Sequence, residues 1–159
     1  MCGQFVQQYN FNNFASRTKY WEDTGKLPPD GPWAGEFHEI NWLDLDTKYQ
    51  CFIKRNCVGV LCGYVRVPFG HPLHGATYNI VPDSIEVHGG LTYSKDHFLP
   101  ENDDGWVFGF DCGHGFDVMP CMPRHIQISD NIAEYRTMEY VKAETESLAK
   151  QLKELETKS

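Results

Sequence analysis

Three short stretches of the chain each set histidine among glycines: Gly70-His71-Pro72-Leu73-His74-Gly75, Val87-His88-Gly89-Gly90-Leu91-Thr92-Tyr93, and Gly109-Phe110-Asp111-Cys112-Gly113-His114-Gly115-Phe116-Asp117. Glycine has no side chain to keep a ligand off the backbone, and it tolerates positive φ. Imidazole, thiol and carboxylate groups placed beside it describe a surface open to a small molecule or ion. If residues 110 to 114 are extended, strand alternation puts Cys112 and His114 on one face and Asp111 on the other. The same rule groups His88 with Gly90 and Thr92. Were the two stretches neighbours, His88, Thr92, Cys112 and His114 would share a face, with Asp117 arriving from the loop beyond.

Two chemistries follow from such a face. In one, Cys112 is a thiol nucleophile activated by His88 or His114, with Asp117 orienting the imidazole and the Gly89 and Gly90 amides free for a developing oxyanion. In the other, a metal is held by members of the set His71, His74, His88, Cys112, His114 and Asp117, whose nitrogen and sulfur donors suit zinc. Neither His-x-x-His nor Cys-x-His is an established zinc spacing. A third reading needs no turnover: the same groups hydrogen-bond a bound small molecule. The ligand-binding set is then Tyr64, Arg66, His71, His74, His88, Gly89, Gly90, Thr92, Asp111, Cys112 and His114. Tyr64, Tyr78 or Tyr93 could stack on a flat ring, and Arg66 offers a fork for phosphate or carboxylate. Removal of Met1 would expose Cys2 beside a free amine, but the Gln- and Asn-rich run after it makes a surface cysteine the plainer reading.

Charge narrows the ligand. Fourteen basic against twenty-two acidic side chains leave a net charge of -8, which repels a phosphate backbone and argues against broad nucleic-acid binding. Yet no Asp or Glu occurs from Thr47 to Pro82, where Lys48, Lys54, Arg55 and Arg66 fall, so that segment suits a small anion. The six cysteines follow no charged start and apolar run, which points to reduced thiols in the cytoplasm. The longest apolar stretch, Val58 to Val67, is well short of the ~20 residues of a spanning helix.

The elements that must position these groups are those of an α+β domain. A chain of 159 residues, 41% apolar, fits one domain with its own core. Residues 1–46 form a variable N-terminal part with a Gly- and Pro-rich surface loop at 24–32. Residues 47–128 form a mainly antiparallel sheet of about four to six strands, and 130–157 a long C-terminal helix. Tyr49–Arg55 and Val58–Val67 read as a hairpin turning at Asn56, with Ile85–Tyr93 and Trp106–Asp111 as further strands. Residues 68–75 are irregular and fit a loop over a site. Asn131 with Glu134 resembles a capping box. Met138, Val141, Thr145, Leu148, Leu152 and Leu155 then form an apolar seam that packs either on the sheet or on a second copy as a homo-oligomer.

With these residues in view, the chain resembles an uncharacterised family of small cytosolic proteins of bacteria and their phages. The resemblance rests on Leu61-Cys62-Gly63-Tyr64-Val65, on Gly70-His71-Pro72 with Gly75, and on Val87 to Tyr93. It continues through Gly109-Phe110-Asp111-Cys112 with His114 and Asp117, and through Tyr135-Arg136 with Glu139-Tyr140-Val141. It spans about Asn56 to Leu152. It implies a setting, a phage or mobile-element product acting in host cytoplasm, and no activity. The expected function is binding of a small anionic, nucleotide-like ligand in a His/Gly/Cys/Asp cleft, which in that setting would sequester a host signal. The alternatives are a zinc- or Cys/His-dependent hydrolase using His88, Cys112, His114 and Asp117, and a protein that binds partners through its C-terminal helix.

Overall fold

The computed structural model describes residues 9–96, 99–123, 125 and 133–158. The elements run α1 (Phe14–Thr24), β1 (Glu39–Leu43), β2 (Gln50–Arg55), β3 (Leu61–Val67), a 3-10 turn (Tyr78–Ile80), β4 (Tyr93–Lys95), β5 (Trp106–Asp111) and α2 (Met138–Lys158). The strands form one antiparallel sheet in the order β1-β2-β3-β5-β4, and α2 lies across one of its faces. The architecture is α+β, as the residue patterns indicate.

Strand alternation sorts the core. Cys51 and Ile53 of β2, Leu61, Val65 and Val67 of β3, and Phe108 and Phe110 of β5 are buried with Val141, Leu148, Ala149 and Leu152 of α2. The apolar seam of the helix is therefore used within the chain, against the sheet. Gly63 lets the helix come close: a Cβ there would lie 2.3 Å from Thr145 Oγ1. Gln50, Phe52, Lys54, Tyr64 and Arg66 alternate with these core residues and belong to the opposite face.

Several boundaries differ from the expectations. The sheet starts before residue 47, because β1 lies within the N-terminal part; its burial alternates, with Ile40 and Trp42 packed inward. α1 occupies part of the Asn-, Gln- and aromatic-rich run. Its one buried residue is Arg17, which binds the Pro120 carbonyl and Asp30, so the helix has no apolar stripe to betray it. Asn13 caps its start and Gly25, at φ 64°, its end.

The strand expected over Ile85–Tyr93 is instead irregular until Tyr93, where the short β4 begins. Gly89 and Gly90 both take positive φ, which ends extension there. The strand expected from Val58 starts at Leu61, after Gly59 turns the hairpin at φ 82°. The C-terminal helix starts at Met138, not at 130. Asn131 of the supposed capping box lies outside the described residues, while Glu134 pairs its backbone with Phe116 and Val118. Thr137 caps the helix, its Oγ1 accepting from the Tyr140 amide. Among the described residues no helix is long and apolar enough to cross a membrane.

Candidate functional site

His88, His114 and Asp117 meet at one point, on the α2 side of the sheet and beyond the end of β5. Each comes from backbone that is irregular for a stated reason. The loop carrying His88 is clamped along one stripe of α2: Glu144 accepts the His88 amide at 2.9 Å, and Gln151 bonds both the amide and the carbonyl of Glu86 at 2.7 Å. Tyr140 completes the stripe, its hydroxyl 2.8 Å from His88 Nδ1. The turn carrying His114 and Asp117 closes on itself, as the Asp117 carboxylate accepts the His114 amide at 3.0 Å.

Asp117 is the hub. Its Oδ2 lies 2.9 Å from His88 Nε2 and 3.0 Å from His114 Nδ1, and its Oδ1 accepts Arg136 Nε at 2.8 Å. Burial alone would raise this carboxyl, but the hydrogen bonds from His88, Arg136 and His114 outweigh it and hold Asp117 below the usual carboxylate range. Because Asp117 is an acceptor, His88 Nε2 carries a proton toward it, and Nδ1 shares the second hydrogen bond of the ring with the Tyr140 hydroxyl. Aromatic rings wall the cluster: Phe116 stacks on His114 with ring centroids 5.3 Å apart, and Arg136 lies over both Phe116 and Tyr140.

Gly89 is required beside this cluster. Its φ is 68°, and a Cβ there would stand 2.1 Å from His114 Cε1. Gly90 shares the positive φ but faces open space.

The other expected residues are not among the three that meet. Cys112 is buried, its amide donating to the Leu61 carbonyl, and burial pushes its thiol well above the ordinary range, a poor setting for a nucleophile. The two histidines of Gly70–Gly75 diverge: His71 is buried with Nε2 2.7 Å from the Leu152 carbonyl, and His74 reaches the Asp104 carbonyl at 2.5 Å. Thr92 contributes a backbone bond to Gly109. Asp111 stands at the margin, its Oδ1 3.9 Å from His114 Nε2. Tyr64 and Arg66 are on the far face of the sheet, Tyr64 stacked on Phe52 and Arg66 forked onto Asp103. Cys2 lies outside the described residues.

Arg136, Tyr140 and Glu144 complete the site without having been assigned a role from the sequence. Their signal was the polar stripe Tyr140, Glu144 and Gln151 beside the apolar seam, at helical spacings of four and seven. Among the described residues, His88, His114 and Asp117 form the one group of side chains that can hold an ion, their ligand atoms all within 4.8 Å of one another. A cavity of about 480 Å³ opens beside His88, lined by Glu86, Glu144, Ser147 and Gln151. No family model, curated protein or solved structure matches the chain.

Proposed function

We propose that the chain is a metal-dependent hydrolase in which His88 Nε2, His114 Nδ1 and one oxygen of Asp117 hold a zinc-class divalent ion. The observation that carries this reading is the approach of Asp117 Oδ2 to within 3.0 Å of both ring nitrogens. A metal held there would need each imidazole as the tautomer whose ligating nitrogen is bare, with its one ring proton on the other nitrogen. In that tautomer His88 Nδ1 would donate to the Tyr140 oxygen, and His114 Nε2 would face Asp111, 3.9 Å away, the kind of outer partner such ligands use. Arg136 holds Asp117 Oδ1, and the His114 amide steadies Oδ2, the oxygen that faces both ring nitrogens.

His88, His114 and Asp117 would be three protein ligands, the number that catalytic rather than structural zinc takes. The ion would supply the chemistry of a water made acidic enough to act as nucleophile near neutral pH. Arg136 and the Tyr140 hydroxyl, which bond Asp117 and His88, stand beside the cluster where they would stabilise negative charge developing on the substrate. Glu86 and Glu144 line the adjoining cavity, which favours a neutral or cationic substrate over a polyanion.

Protein purified without a metal-affinity step, analysed by native mass spectrometry and elemental analysis, is expected to carry about one zinc per chain. Asp117→Asn and His114→Ala should lose it, and cobalt substitution should give tetrahedral absorption bands. Hydrolysis of p-nitrophenyl acetate should follow the metal content. Protein that takes up neither zinc nor cobalt would reduce the cluster to a hydrogen-bonded tie between the 86–88 loop, the 112–117 turn and α2.

A further inference from the structure

On the face of the sheet away from α2 lies a second cavity of about 480 Å³, within the size range of small-molecule sites. Its charge is opposite in character to the His88 cavity. Lys48, Lys54 and Arg66 line it together with two carboxylates, Glu39 and Asp103. Lys54 Nζ is 3.5 Å from Glu39, and the Arg66 guanidinium bonds Asp103 at 2.7 Å with Asp104 3.8 Å away, so Lys48 adds its charge beside two cations that carboxylates already hold in place. All three cations come from the acid-free segment Thr47 to Pro82; its fourth, Arg55, is buried on Glu36 and the Gly59 carbonyl.

The cavity also offers groups that read a flat polar ring. Phe52 lines it, backed by Tyr64 at a ring distance of 5.3 Å, with Tyr93 edge-on to Tyr64 beyond. The row is held because Gly109 leaves room for Tyr64, where a Cβ would come within 2.5 Å of the ring. Asn41 and Gln50, on adjacent strands of the same face, each present an amide that both donates and accepts. Cations for a phosphate, an aromatic edge for a ring and amides for its polar rim are the complement of a nucleotide.

We propose that this face binds a nucleoside monophosphate, with Lys48, Lys54 and Arg66 on the phosphate and Phe52, Asn41 and Gln50 on the base. The assignment is independent of the metal cluster, which lies on the other side of the sheet. Titrations of the full chain with AMP, GMP, CMP, UMP and inorganic phosphate, followed by calorimetry and by amide shifts, provide the test. At least one nucleotide should bind, more tightly than phosphate, and shift the amides of β1 to β3. Lys48→Glu with Lys54→Glu should weaken it at least about tenfold, as loss of charged contacts does, and Phe52→Leu should weaken the nucleotide but not phosphate. No binding at millimolar ligand, unchanged binding in the folded double variant, or phosphate binding as tightly as every nucleotide would each overturn the proposal.

Discussion

Gly89 and Gly90 separate two effects that a single substitution would confound. Both hold positive φ, so alanine at either position carries a backbone penalty of about 1–2 kcal/mol. Only at Gly89 does the new methyl meet His114, whose ring then has to leave Asp117. Gly89→Ala should therefore abolish zinc binding, while Gly90→Ala lowers the melting temperature and keeps the metal. Equal zinc content in the two variants would show that His114 is not a ligand. The cysteines make a second comparison. Burial pushes the Cys51 and Cys62 thiols up to about 12 and Cys112 higher still, whereas Cys57 is exposed. In a Cys2→Ser background, a thiol reagent should label Cys57 rapidly and the buried thiols only on unfolding. Rapid labelling of Cys112 would revive the thiol mechanism, and Cys112→Ala is expected to keep both zinc and turnover.

The elements were legible where burial is apolar and periodic. Trp106–Asp111 matches β5 at both ends, and the seam of α2 was visible because Val141, Leu148 and Leu152 recur on one face. α1 was illegible because its buried anchor is an arginine, and β1 because its alternation of Ile40 and Trp42 with outward Glu39 and Asn41 lasts only five residues and ends on an outward Leu43. At the site, the convergence of His88, His114 and Asp117 was readable from glycine-flanked motifs. The means were not, since side chains of α2 clamp a loop where a strand pairing was expected. The seam also carries a prediction about assembly. Leu148 is fully buried under the sheet, so Leu148→Ala should destabilise the fold by about 2–5 kcal/mol. Because that face is used internally, the mass by light scattering should stay unchanged in the folded variant. A fall in mass without loss of melting temperature would instead assign the seam to an interface between copies.

At the scale of the whole molecule, the sheet divides two chemistries that the sequence placed in a single cleft. A cluster of His and Asp with Glu86 and Glu144 beside it lies on the helix side, and a cavity with three cations on the open side. This division sets a net charge of -8 beside a segment free of acids: Lys48, Lys54 and Arg66 of that segment share one face with Glu39 and Asp103, while the lining beside His88 offers Glu86 and Glu144. It also predicts how the sites interact. The β-strands between them are paired along their lengths, and charges at the surface are screened beyond about 8–10 Å at moderate salt. Zinc content should therefore be the same in wild type and in Lys48→Glu with Lys54→Glu, and nucleotide affinity the same in wild type and in Asp117→Asn. Raising the salt should weaken nucleotide binding while leaving the buried metal ligands loaded. A reciprocal change of more than about fivefold between metal and nucleotide affinities would make the two sites one coupled device, with β3 and β5, which contribute to both faces, as the elements that join them.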